Sequence, residues 1–286
     1  MDLQPFGAYN PQLLLGSEGI QLTDTAGSGY FAENNQVKDF LVDGRYKALV
    51  KWLNKCYQAG LIKADTFTND YSKFQSVARG SGDTAVVGFT FGWEASDRFG
   101  DQLKNQYIAL NQLKVNASST DDLRWSDDYY ALNYATDRIA LSANCKNKDA
   151  AMKFIDGFYD PEVSMQVLWG GMNATDNGTQ KNSDGSYTVL PPKDNTKDAG
   201  TWKWENTFAD FGPIYLNDSM KITLPSDVQA SVKEKSIYNT LIAKADPKKD
   251  LYPQVFMKYS TDDANTLAVN QANIDNITLP KWSQWI

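Results

Sequence analysis

The stretch Gly82-Asp83-Thr84-Ala85-Val86-Val87-Gly88-Phe89-Thr90-Phe91-Gly92-Trp93 decides the reading of the fold. A Gly-Ser-Gly-Asp turn at 80–83 leads into the apolar run Thr84–Phe89, which reads as a buried strand ending at a large aromatic, Trp93. Helical patterns flank it, at about Asp70–Arg79 before and Asp97–Gln106 after. Two further apolar runs, Tyr107–Leu110 and Arg138–Ser142, are strand candidates. Helices alternating with short buried strands give an α/β fold.

Working outward, Tyr46, Leu49, Val50, Leu53 and Tyr57 recur at helical spacing between Asp43 and the stop at Gly60. Asn147 caps a helix with an apolar stripe of Ala150, Ala151, Phe154, Ile155 and Phe158, and Pro161-Glu162 restarts a helix through Val167. Residues 173–200 turn polar around a hairpin at Asp184-Gly185. Helices are expected over Pro225–Ala243 and, after a break at Asp246-Pro247, over Thr261–Asn276. Residues 1–42 read as loops with one short element near Pro11.

Composition narrows function by exclusion. A chain of 286 residues has room for one large or two smaller lobes. No run approaches the ~18 apolar residues of a membrane span. A net charge of -7 argues against a nucleic-acid partner, whose binders concentrate Lys and Arg. The chain holds no histidine, which removes the commonest general base and metal ligand together. Cys56 and Cys145 lack metal-ligand spacing and read as small buried residues, so no metal and no cofactor is expected. Met1-Asp2-Leu3-Gln4-Pro5 is no signal peptide, which leaves either a cytosolic protein or a start that is not the native one.

Few constellations invite chemistry. Asp127-Asp128 and Asp262-Asp263 suggest a two-carboxylate glycosidase, but neighbours in a strand point to opposite faces, and the second pair fits the first turn of a helix. Asp176-Asn177-Gly178 reads as a turn rather than a calcium loop. Trp93 differs, because open α/β sheets bind ligands just past their strand ends. A flat aromatic there suits the apolar face of a pyranose.

Three stretches in order carry a resemblance: Tyr46–Ile62 with Phe67-Thr68-Asn69-Asp70, Gly82–Trp93, and Ile139–Asn144 followed by Asp149–Ile155 and Asp160-Pro161-Glu162. They resemble the extracellular solute-binding proteins that include maltose-binding protein. The resemblance implies an α/β, periplasmic-binding-protein-like type II fold with two lobes and a hinge, here mostly the second lobe. Residues 1–137 and 200–286 would form that lobe, and 138–199 the hinge with a partial first lobe, the N-terminal part being absent. It implies a monomeric, non-enzymatic binding component of an ABC importer, a bacterial cell-surface lipoprotein that captures a sugar or oligosaccharide and meets permease subunits. Membrane association would come only through a lipid anchor absent from this chain. Trp93 matches the family's sugar-stacking tryptophan, while Tyr9 and Asn10 lie where its second lobe approaches ligand. Glu94, Trp125 and Trp169 join them by closeness to the strand end and hinge. Peptide or anionic ligands, a carbohydrate-active enzyme or its binding module, and a structural surface domain are the alternatives.

Overall fold

The computed structural model describes residues 1–3, 10–22, 29–126, 139–172, 178–193, 199–217, 219–246, 248–252 and 257–286, with backbone only at Asp210 and Leu279. The chain divides into two compact units, Met1–Ala131 with Lys235–Ile286, and Leu132–Glu234.

In the first unit the Asn10 side chain accepts from Gln12 N–H at the start of the 3-10 helix Pro11–Glu18. Strands β1 (Tyr30–Glu33) and β2 (Gln36–Asp39) form an antiparallel hairpin whose turn residues Asn34 and Asn35 take positive φ. Asparagine tolerates that left-handed region better than most residues. Helix α1 (Gly44–Gln58) is capped by the Asp43 carboxylate and buries Tyr46, Leu49, Val50 and Leu53, as the periodicity read from sequence has it, with Cys56 buried in the last turn and Tyr57 half-buried. These pack with Leu15, Ile20, Phe31 and Phe40 into one core. Burying each large side chain stabilises the unit by about 1.5–3 kcal/mol. Helices α2 (Tyr71–Arg79) and α3 (Ala95–Leu103) enclose a second cluster of Ala78, Val87, Phe99 and Leu103, and Tyr107 stacks on Phe99 with centroids 3.4 Å apart.

The expected strand Thr84–Phe89 is not a strand. Its segment makes one isolated bridge, Asp2 to Thr90, with Asp2 N–H donating to Phe89 O at 2.9 Å. Val87 is buried but Val86 is 61% exposed, so the run is not buried on both faces as its composition suggested. Tyr107–Leu110 and the described part of the candidate at 138–142 also carry no strand assignment. A strand is defined by its neighbour, and an apolar run cannot supply one alone.

In the second unit α4 (Lys148–Gly157) is capped by Asn147, and α5 (Pro161–Trp169) by the Asp160 carboxylate, which accepts from Glu162 and Val163 N–H. Strands β3 (Gly178–Lys181) and β4 (Tyr187–Leu190) form the expected hairpin, with Gly185 at φ 83°. Helix α6 (Ala199–Asn206) follows, and β5 (Ile222–Thr223) pairs parallel to β4. That pairing ties β5 to this unit, which runs from Leu132 to Glu234. Met165, Leu168, Trp169, Tyr187, Val189 and Ala199 form its core.

The chain re-enters the first unit after α7 (Ser226–Lys235). The single helix expected over Pro225–Ala243 is broken by a 3-10 turn, Ser236–Tyr238, before α8 (Asn239–Ile242). Helix α9 (Thr261–Trp285) starts with Ser260 accepting from Asp263 N–H while its hydroxyl donates to the Asp263 carboxylate. It continues past Pro280, beyond the expected end at Asn276, because Trp282 and Ile286 are core residues and Asn54 donates to the carbonyls of Trp285 and Ile286. Cys56 is buried as expected, whereas Cys145 is half-buried. Among the described residues no helix is long and apolar enough to cross a membrane.

Candidate ligand-binding site

Trp93 lies between the extended segment ending at Gly92 and the first turn of α3. The segment before it packs on Arg98, one turn into α3 and 1% exposed. The Arg98 guanidinium lies 3.5 Å over the Phe74 ring and donates to Phe74 O at 2.6 Å, Gln75 Oε1 at 3.1 Å, Thr90 Oγ1 at 3.2 Å and the Asp2 carboxylate. Gly92 is needed beside it: a Cβ there would sit 3.1 Å from the Arg98 side chain. So the segment delivering Trp93 is fixed by a buried cation, while the indole itself is 64% exposed.

Glu94, the residue before α3, accepts at its carbonyl from Arg98 N–H at 3.0 Å and at its carboxylate from Ser96 Oγ at 2.8 Å. That carboxylate stands next in chain to an exposed indole, a suitable pairing for sugar recognition: a ring face and a hydroxyl acceptor.

Against the Trp93 face lies the Lys235 ammonium, 3.6 Å from the ring centroid. Three residues on, Tyr238 stacks on Trp125 with centroids 3.6 Å apart and planes within 10°. Residues three apart on a helical turn are neighbours, so both tryptophans contact the turn where the chain re-enters the first unit. Asn111 Nδ2 holds that turn by donating to Ile237 O at 3.1 Å. Gln21 Nε2 donates to Trp125 O, and Leu22 N–H to Ser126 Oγ at 3.2 Å, which fix the strip carrying Trp125.

The sequence candidates thus fall into separate places. Trp93, Glu94 and Trp125 share the first unit, and Trp93 and Trp125 meet one turn. Asn10 is also there, but it is 6% exposed and occupied in capping the 3-10 helix Pro11–Glu18. Trp169 belongs to the second unit, 9% exposed in its core with Lys203 Nζ at 5.1 Å from its ring. Tyr9, Asp127 and Asp128 lie outside the described residues, as do Asp176 and Asn177; Asp262 and Asp263 occupy the first turn of α9. Lys235 and Tyr238 were not found from sequence, where they read as part of one continuous helix.

A different cleft in the first unit, of about 240 Å³, is lined by Glu18, Gln21, Glu33, Arg45, Asp121 and Arg124 among others. Arg45 pairs with Glu33 and Asp43, each at 2.8 Å, and Arg124 with Asp122 at 3.1 Å and Asp250 at 3.3 Å. Hydrogen bonds from Arg45 hold the Glu33 and Asp43 carboxyls below the usual range, and burial, helped by Asp121, pushes Glu18 up. Its lining includes no aromatic face, unlike the Trp93 cluster. Among the described residues no group of carboxylates or thiols is arranged to hold a metal ion.

Comparison with known proteins gives these features a context. No family model matches the chain. The fructooligosaccharide ABC transporter substrate-binding protein FusA of Streptococcus pneumoniae is 24% identical over 260 residues, 88% of this chain and 45% of that protein. An HMO-binding, ABC-transporter-associated solute-binding protein of Bifidobacterium longum infantis matches with a TM-score of 0.84 and 28% identity, over 100% of this chain and 57% of its own. A second extracellular solute-binding protein from Bifidobacterium longum subsp. infantis gives 0.82 and 27%, with the same coverage. The fold is therefore α/β and periplasmic-binding-protein-like. This chain spans about half the length of the relatives it matches.

Proposed function

Because the chain is a homologue of the extracellular solute-binding proteins of ABC transporters, we propose that it is part of a binding component that captures a sugar or oligosaccharide and delivers it to permease subunits. The observation that carries this reading is the 64% exposed Trp93, which follows a segment packed on a buried arginine and faces Lys235 on the turn that also carries the Trp125–Tyr238 stack. An exposed indole, one face of which meets Lys235, offers a flat stacking surface and loses little side-chain freedom on binding. Glu94 is placed to accept a sugar hydroxyl. The names of two relatives, one for fructooligosaccharides and one for HMO, agree with that ligand class.

Function here is binding rather than bond making. We assign the unit Met1–Ala131 with Lys235–Ile286 to the second lobe of such a protein and Leu132–Glu234 to part of the first; the two chain crossings support this assignment. Relatives named as extracellular support an extracellular location, and a lipid anchor outside these residues would supply the membrane attachment. Asn10 contributes to the fold of the first unit and Trp169 to that of the second in this reading, and Trp93, Glu94 and Trp125 to the ligand.

The test is a thermal-shift and calorimetric screen of the full-length protein against mono- and oligosaccharides, with Trp93→Ala in parallel. A ligand held at about 1,000 times its dissociation constant stabilises its protein by roughly 4 kcal/mol. The expected result is a raised melting temperature with one sugar class, abolished in Trp93→Ala while its own melting temperature is kept. A response to peptides or anions alone overturns the ligand class. A sugar response unchanged by Trp93→Ala overturns the site.

A further inference from the structure

The cleft of about 240 Å³ in the first unit contains acceptors that its own cations leave unanswered. Arg45 spends its hydrogens on Glu33 and Asp43, and Arg124 pairs with Asp122 and Asp250. Glu18 has neither a hydrogen bond nor an ion pair among the described residues, and burial together with the nearby Asp121 charge acts against its ionised form. Asp121 accepts from the Ser119 hydroxyl at 2.6 Å and pairs with no cation among the described residues. Gln21 lines the same cleft and is 3% exposed; its Nε2 donates to Trp125 O, yet its Oε1 has no partner. A buried acceptor without a donor is costly, so this one points to a ligand that supplies the donor.

The wall carrying these groups is tightly built. Arg124 N–H donates to Gly16 O at 3.0 Å, and Gly16 leaves no room for a Cβ against the Arg124 carbonyl. The end of the 3-10 helix Pro11–Glu18 therefore lies directly on the strip that carries Asp121 and Trp125. Glu18 is the last residue of that helix, where free carbonyls already hold partial negative charge, and no basic residue occupies its last turn. We propose that Glu18, Gln21 and Asp121 receive the primary ammonium group of a small organic amine, at a site distinct from the Trp93 cluster. An ammonium brings three N–H donors and no acceptor, matching three acceptors that lack a cation. A hard divalent metal fits less well: calcium takes six to eight oxygens, and no group of three carboxylates or thiols among the described residues is arranged to hold a metal. The cleft is several times the ~30 Å³ share of one water, so it has space for a short carbon chain behind the ammonium.

The experiment is calorimetric titration of the full-length protein with n-butylammonium chloride, set against ammonium, tetramethylammonium and calcium chlorides at matched ionic strength. Saturable one-to-one binding of n-butylammonium is expected, with tetramethylammonium, which has the charge but no N–H, at least tenfold weaker. Glu18→Gln should weaken n-butylammonium at least tenfold while keeping the melting temperature and any sugar response; Asp121→Asn, at an exposed position, should weaken it severalfold and carries the test if Glu18→Gln misfolds. Amine binding without any sugar response keeps this site and overturns the proposed function instead. No amine binding, equal binding of tetramethylammonium or of bare ammonium, tighter binding of calcium, or variants that bind n-butylammonium as the parent does, each overturns the proposal.

Discussion

The Asp2 carboxylate accepts a hydrogen bond from the guanidinium of Arg98 inside the first unit, although 96 positions separate them in sequence. Asp2 is 5% exposed and Arg98 1%. Burial pushes the Asp2 carboxyl up and the Arg98 guanidinium down, and their mutual contact opposes both shifts. Breaking a buried pair by removing one partner typically costs 3–5 kcal/mol, whereas replacing both with apolar groups is far milder. Arg98→Met should therefore destabilise the fold by about 3–5 kcal/mol, and the double variant Asp2→Leu/Arg98→Met should recover at least half of that. Urea unfolding of the three proteins checks it, and a double variant no better than the single one refutes the pairing argument.

Acid should undo a different part of the first unit. Hydrogen bonds from Arg45 hold the Glu33 and Asp43 carboxyls below their ordinary values. In the window between ordinary and lowered pKa the unfolded chain binds more protons than the native one, so stability falls as pH falls. This contribution is fully present above the ordinary carboxylate range and is lost on descending through the folded values. Arg45→Gln removes the cause: the acid limb of a stability–pH curve should become shallower, with a loss near neutrality of about 1 kcal/mol for these partly exposed pairs. An unchanged acid limb refutes the assignment.

Local signals in the sequence reach the helices and not the sheet. Asp43 before Tyr46 and Gly60 after Tyr57 locate α1, Asn147 locates α4, and Ser260 with Asp263 starts α9, because caps and 3.6-residue periodicity are written within a few residues. Thr84–Phe89 fails for the opposite reason, since its identity as a strand depends on chain that has to lie beside it. The site divides in the same way. Trp93 is legible as an aromatic past an extended run, but Lys235 and Tyr238 join it only through a turn more than a hundred positions later. Trp169, chosen for its place in the sequence, lies in a core that its own helical stripe with Met165 already implied.

Backbone crowding in the second unit gives a sharper test of its hairpin. Gly178 opens β3 at φ 115°, and a Cβ there would meet the Gly171 carbonyl oxygen at 2.4 Å. Neither the conformation nor the space admits a side chain. Gly178→Ala should destabilise the second unit by at least ~1 kcal/mol and leave the first unit's unfolding unaltered. Hydrogen exchange resolved by peptide reads the two separately, and equal loss of protection in both units contradicts this localisation.

Lys235 and Tyr238 should matter to ligand binding in different ways, although one turn carries both. The Lys235 ammonium at 3.6 Å from the Trp93 ring centroid orients an otherwise exposed indole, a contact worth about 0.5–1 kcal/mol at such sites. Lys235→Met should weaken sugar affinity roughly two- to fivefold by freeing that ring, with little change in melting temperature. Tyr238 instead buries one face of Trp125, and aromatic pairs contribute about 0.5–1.5 kcal/mol beyond their buried area. Tyr238→Ala should therefore lower stability measurably and reduce affinity as well, while Tyr238→Phe, which keeps the stack, should do neither. Calorimetric titration with thermal melts of the three variants distinguishes the roles. If Tyr238→Phe behaves like Tyr238→Ala, the hydroxyl and not the stack is what the turn contributes, and the aromatic platform reduces to Trp93.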